Sequence, residues 1–118
     1  MRNFRNYTVR EDGLALYTSI FKVTRQFPKE EVYGLTSQLR RAALSVPSNI
    51  AEGSSRSSPV EFSRFIEIAT GSLFELETQL IAAHQLSYLK PIDLDILQEM
   101  ISSLRKQLLG LRKKLKAA

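Results

Sequence analysis

The 118-residue chain has no cysteine, no tryptophan, a single histidine, five glycines and four prolines. Without cysteine there is no disulfide framework, no thiolate zinc site and no iron–sulfur cluster. One histidine excludes every metal motif that needs two and leaves imidazole catalysis a single position, His84. No apolar run approaches the ~20 residues that cross a bilayer. The N-terminus shows no charged segment leading into an apolar one, so no secretory leader is expected and a cytoplasmic location follows. The signatures of zinc proteases, P-loop enzymes, serine hydrolases and dinucleotide binders are missing. A carboxylate-bridged di-iron bundle needs Glu-x-x-His on two helices, and Ile81 stands three residues before His84. Glu75 and Glu77 lie about 200° apart on a helix and do not converge. No enzymatic activity, cofactor or metal is therefore expected.

What is present is helical periodicity in four segments. The length suits one domain, able to take about two-thirds of its unfolded surface out of water. Thr8-Val9-Arg10-Glu11 reads as a capping box opening a helix over about 9–27, with Leu14, Tyr17, Phe21 and Thr24 on one stripe. After Phe27-Pro28-Lys29 a second helix is predicted over about 30–52, with Val32, Leu35, Leu39, Ala42 and Val46 facing inward and Gly53 closing it in a left-handed cap. Ser58-Pro59-Val60-Glu61 combines a capping box with proline at the first helical position and opens a helix over about 59–86. Its stripe is Phe62, Phe65, Ala69, Leu73, Leu76, Leu80 and Ala83, and His84 beside it is expected to be partly exposed. Asp93 is placed to cap the last helix, about 93–116, which carries a leucine-rich seam from Leu94 to Leu115. No period-two alternation suggests a strand. An antiparallel, up-down four-helix bundle shaped as an elongated rod is the architecture these signals predict.

Apolar residues exceed one core. The first helix has a second stripe of Leu16, Ile20, Val23 and Phe27, and the third carries Phe74 and Ile81 off its main seam. These either broaden the core face or form a second face buried between subunits, and an exposed apolar area of that kind usually marks an interaction surface. Local rules are broken in the second helix. Pro47 removes one amide and clashes with the carbonyl of Ala43, which predicts a kink. Asn49 falls where the stripe would continue and is available to the freed carbonyl. Glu52 sits at the helix end that disfavours an anion, with Arg56 or Arg64 as its partner. This is either a kinked helix end held by polar contacts or a ligand site. Gly71 in the third helix costs ~1 kcal/mol relative to Ala, so another backbone, from this chain or a neighbour, is expected to pack against it.

The net charge of +5 is unevenly spread. Residues 60–99 carry Arg64 and Lys90 against seven acids, whereas residues 100–118 carry six cations and no acid. Arg105 and Arg112 are one heptad apart, as are Lys106 and Lys113, so two basic rows flank the leucine seam; Lys114 and Lys116 extend them. Arg40 and Arg41 lie mid-bundle, and Arg2, Arg5 and Arg10 form a basic N-terminal arm. Such a charge run is either a solvated helix face, favoured by the helix dipole, or a surface that neutralises phosphates. In the second case the acidic third helix pairs with other cations and leaves the rows of the fourth free. No ribonucleoprotein aromatic motif or recognition-helix pattern is present, so shape or backbone contact is expected over base readout. Phe4, Tyr7 and Tyr33 serve either base stacking or packing.

The run from Leu35 to Gly53, ending Val46-Pro47-Ser48-Asn49-Ile50-Ala51-Glu52-Gly53, is distinctive. With Phe65 and Gly71-Ser72-Leu73-Phe74-Glu75-Leu76-Glu77-Thr78-Gln79-Leu80, it resembles the four-helix-bundle proteins encoded within intervening sequences of bacterial large-subunit ribosomal RNA genes. That superfamily includes the accessory variability determinant of diversity-generating retroelements. The likeness runs over about residues 11 to 112, and Asn-Ile-Ala-Glu-Gly after a proline is its most specific part. It departs from the pattern at Ser87, where glycine is expected in the turn. The resemblance implies a non-enzymatic homopentamer with a basic surface for nucleic acid and, in the retroelement branch, a reverse transcriptase partner. Joined with the charge map, it predicts an RNA-binding homo-oligomer using Arg105, Lys106, Arg112, Lys113, Lys114 and Lys116, then Arg40 and Arg41. The alternative is an oligomeric scaffold for a protein partner.

Overall fold

The computed structural model describes the backbone of residues 4–117 and the side chains of residues 8–117. Four α-helices follow one another: α1 (Phe4–Thr24), α2 (Leu35–Ser54), α3 (Pro59–Gln85) and α4 (Pro91–Ala117), with a 3-10 turn at Lys29–Glu31. Among the described residues there is no strand. Each helix packs on its neighbour in sequence and α1 closes the ring against α4. Paired positions fix the antiparallel sense. Gly13 meets Pro47 and Phe21 meets Arg40 between α1 and α2. Ser45 meets Ser72 between α2 and α3, and Glu77 and Glu67 meet Arg105 and Arg112 between α3 and α4. The result is the expected rod, 46 × 24 × 19 Å.

The core forms where the stripes of α2, α3 and α4 converge. Leu39, Val46 and Ile50 of α2 face Phe62, Ile66, Leu73, Leu76 and Leu80 of α3 and Leu97, Ile101, Leu104 and Leu108 of α4, all buried. At about 1.5–3 kcal/mol per fully buried large apolar side chain, this convergence supplies the main drive to fold. Start and stop signals act locally. The Ser58 hydroxyl accepts the Glu61 amide at 3.3 Å, with Pro59 filling the first helical position. At the other end of α3, Tyr88 N–H donates to the Ala83 carbonyl and Ser87 N–H to that of His84, each at 2.9 Å. This is a Schellman closure, and Ser87 takes the left-handed conformation (φ 65°) that glycine adopts more cheaply.

Several sequence expectations are corrected. The inward face of α1 is the stripe Val9, Gly13, Leu16 and Ile20, with Phe27 buried just beyond the helix, whereas Leu14 is 39% exposed. Gly13 decides this phase: a Cβ there would lie 3.2 Å from that of Pro47, so α1 and α2 approach closely on that side. Leu16 and Ile20 are therefore fully buried within one chain and are not interface residues. Thr24, assigned to the other stripe, is also buried, its hydroxyl donating to the Ile20 carbonyl at 2.8 Å. Thr8 does not open α1, which already runs from Phe4, and Arg10 lies within this helix. The helix ends at Thr24 rather than 27, because a residue before proline disfavours the helical region.

The start of α2 shifts from 30 to Leu35, since Gly34 (φ −113°, ψ −114°) breaks the helical path, leaving Val32 exposed. Glu31 then caps α2 from outside, its Oε1 accepting the Leu35 amide at 3.1 Å. Gly53 is no left-handed cap: it is buried inside α2, and among the described residues no glycine has a positive φ. Glycine is required there because a Cβ would lie 2.7 Å from Phe62 Cδ1 and 2.8 Å from Phe65 Cβ. Asp93 lies in the first turn of α4 instead of capping it, because Pro91 already starts the helix. Gly71 meets nothing within 4 Å, so no backbone of this chain accounts for it.

Candidate nucleic-acid interface

α4 turns its leucine seam inward, so helical geometry alone sends its cations outward or sideways. The structure separates the two basic rows. The arginine row leans toward α3: Arg112 Nη2 lies 3.0 Å from Glu67 Oε2, and Arg105 Nη1 lies 3.5 Å from Glu77 Oε1. Arg105 also sits 5.0 Å over the ring of Phe74. Both rows were expected to stay free, and register overturns this for Arg105 and Arg112: antiparallel packing sets the acids of α3 opposite them. The lysine row faces solvent. Lys106, Lys113, Lys114 and Lys116 are all exposed, and among the described residues none has a carboxylate within 4 Å.

The second-choice cations divide in the same way. Arg40 is half-buried, stacked 3.8 Å from the Phe21 ring centroid, with its Nε donating to the Thr24 hydroxyl at 2.9 Å. It therefore ties α1 to α2 as well as carrying charge. Arg41 is exposed, on a shallow α2–α3 groove shared with Ser45, Ser72, Glu75 and Gln79. Of the N-terminal arm, Arg2 and the side chains of Phe4, Arg5 and Tyr7 lie outside the described residues. Tyr33 is 95% exposed.

The proline-centred motif is built from polar contacts. Pro47 is buried, and α2 continues through it. The Asn49 amide donates to the Ser45 carbonyl at 2.8 Å and the Ser45 hydroxyl at 3.0 Å, not to the carbonyl of Ala43. Ser45 in turn is 2.9 Å from the Ser72 hydroxyl, so the relay couples α2 to α3. Glu52 pairs with Arg56 at 2.7 Å, and Arg56 covers the Phe65 ring at 5.1 Å.

His84 Nδ1 lies 3.0 Å from the Leu89 carbonyl and helps close the α3–α4 turn. Glu31 and Tyr88, which sequence reasoning missed, meet nearby: the Tyr88 hydroxyl donates to Glu31 Oε2 at 3.0 Å. That bond, with burial and the negative charge of Glu31, raises the phenol above its ordinary value. Nothing local in the sequence announces a contact between residues so far apart.

Of the apolar residues proposed for self-association, Val23 is half-buried against the core, whereas Phe74 and Ile81 are 53% and 39% exposed. Phe74 shares a 380 Å³ groove between α3 and α4 with Leu109, itself 53% exposed, rimmed by Arg105, Lys106 and Arg112. Among the described residues no group of three or more acidic or histidine side chains could hold a metal ion. No helix among them is long and apolar enough to cross a membrane.

A four-helix bundle with a polarised charge map, an Asn-Ile-Ala-Glu-Gly motif on its second helix and a lysine ridge on its fourth defines the class. The chain belongs to the 23S rRNA-intervening sequence protein family, whose model matches residues 5–110. A crystal structure of a protein of unknown function from the S23 ribosomal protein family of Bacteroides thetaiotaomicron VPI-5482 superposes with a TM-score of 0.85. The match covers 93% of this chain and 99% of that one at 19% identity, which shows a shared fold. No curated protein matches this chain.

Proposed function

We propose that this protein is a non-enzymatic, RNA-binding homo-oligomer that contacts phosphates through the exposed lysines of α4. The observation that carries this reading is the contrast on one helix. Arg105 and Arg112 are ion-paired, whereas Lys106, Lys113, Lys114 and Lys116 stand in solvent with no carboxylate within 4 Å among the described residues. Lysines free of acids neutralise phosphate without first breaking an internal pair, and the counterions they displace from RNA supply the affinity. The family's description as rRNA-intervening sequence proteins makes RNA the preferred polyanion. A pentamer, the assembly implied by the family resemblance, would gather roughly +25 on one particle and strengthen its long-range field. Phe74, Ile81 and Leu109 offer apolar area for such contacts.

The apolar α3–α4 groove also supports a second reading, a scaffold whose partner is a protein such as a reverse transcriptase. Charge reversal separates the two. Lys106→Glu, Lys113→Glu and Lys114→Glu together should abolish RNA binding in a fluorescence anisotropy titration and leave the sedimentation coefficient unchanged. Undiminished RNA affinity in that variant, or no RNA binding by the parent protein at about 50 mM salt, would refute the phosphate role. A monomer at micromolar concentration would refute the assembly.

A further inference from the structure

At the opposite end of the bundle from the α4 lysines, a 570 Å³ pocket opens where α1 ends and α2 begins. Arg25, Lys29 and Arg40 line it, together with the apolar side chains of Phe21, Phe27 and Val32. No lining residue is acidic, and among the described residues none of the three cations has a carboxylate within 4 Å. This contrasts with Arg10, Arg56, Arg105 and Arg112, each of which has an acid partner. Glu31, the last acid before α2, is diverted: both its carboxylate oxygens are taken, by the Leu35 amide and the Tyr88 hydroxyl.

Arg25 and Arg40 also converge on one ring, 5.5 Å and 3.8 Å from the Phe21 centroid. Two guanidiniums on one aromatic, with a lysine lining the same pocket, give this corner a positive field that favours an anion. Arg40 is fixed by its Nε bond to Thr24, so the bond orients the guanidinium while its terminal nitrogens keep donors to spare. The exposed wall is apolar, with Val32 49% exposed. Cations beside an apolar wall suit a ligand with a phosphate at one end and a flat, weakly polar body at the other. The volume falls in the range of small-molecule pockets, about 300–1,000 Å³.

We propose that this corner pocket binds a nucleoside 5′-phosphate, its phosphate held by Arg25, Lys29 and Arg40 and its base lying against the exposed side chain of Val32. The ligand is either a free mononucleotide or the phosphorylated end of an RNA strand, and the site does not depend on the α4 surface.

The test is calorimetric titration of the full chain with AMP, adenosine and inorganic phosphate. AMP should bind saturably, and adenosine and phosphate at least about tenfold more weakly. Arg25→Ala and Lys29→Ala, both at exposed positions, should each weaken AMP about tenfold, the loss typical of a charge-assisted hydrogen bond. To separate the two sources, RNAs of one sequence with a 5′-phosphate or a 5′-hydroxyl are compared on the Lys106→Glu/Lys113→Glu/Lys114→Glu variant, in which the general RNA surface is reversed. Preference for the phosphorylated RNA without AMP binding assigns the site to RNA ends; AMP binding assigns it to free nucleotide. AMP affinity unchanged in both alanine variants would overturn the proposal. So would the absence of saturable AMP binding together with equal affinity for the two RNAs.

Discussion

Gly53 gives the sharpest test of how α2 and α3 pack. In an alanine variant the new Cβ would stand 2.7 Å from Phe62 Cδ1 and 2.8 Å from Phe65 Cβ. Phe62 is fully buried, and the Phe65 Cβ is bonded directly to the α3 backbone, so relief requires the helices to move apart. Overpacking of this kind costs about 1–3 kcal/mol. The gain in helix propensity, at most ~1 kcal/mol, is reduced because Gly53 lies in the last turn of α2. Gly53→Ala should therefore destabilise by about 1–2 kcal/mol. Gly71 is the control: it is mid-helix, exposed and meets nothing within 4 Å, so Gly71→Ala should stabilise by about 1 kcal/mol. Urea denaturation at one protomer concentration reads both, since association would otherwise shift the midpoints. At about 1–3 kcal/mol per M, the two midpoints should differ by about 1–2 M with unchanged slope. A Gly53→Ala midpoint at or above wild type would refute the close approach. A lowered midpoint for Gly71→Ala would mean that its face is covered by another copy.

Three further outcomes follow from the geometry. Ser87→Gly should stabilise by about 1 kcal/mol, read as a raised Tm, because glycine takes the left-handed conformation without the Cβ penalty; an unchanged Tm would count against that backbone. Leu16→Ala should cost about 2–5 kcal/mol, the range for a fully buried leucine, whereas an interface role would cost far less at high dilution. The Tyr88–Glu31 bond holds the neutral phenol, so its stabilisation is complete below the ordinary tyrosine pKa of about 10 and is lost as pH rises through the raised folded value. Tyr88→Phe should accordingly flatten the alkaline limb of the stability profile, and an unaltered limb would contradict the assignment.

Legibility from sequence was greatest where independent signals coincided. In α3 the apolar spacing and the Ser58-Pro59 start agree, and the stripes of α3 and α4 bury nearly as read, with Ile66 in place of Phe65. α1 misled because apolar residues surround most of it; the phase is set by Gly13 against Pro47, a contact between helices that spacing cannot reveal. Glu30 and Glu31 look like the acidic first turn of a helix, yet Gly34 delays α2 and leaves Glu31 as an external cap. Gly53 near a helix end has the same sequence signature whether it is a left-handed cap or a point of contact with Phe62. At the candidate interface the cationic segment was visible in the sequence. Which of its cations are spoken for was not, because that depends on the register that sets Glu67 and Glu77 against Arg112 and Arg105.

The proposed phosphate-neutralising role rests on the lysine ridge of α4. Its most direct test is the affinity for a single-stranded RNA measured across a range of salt concentrations. Log affinity should fall linearly with log salt, by about 0.7 per phosphate neutralised, and reversing Lys106, Lys113 and Lys114 should remove most of that slope. A slope near zero, or one unchanged by the reversal, would contradict it.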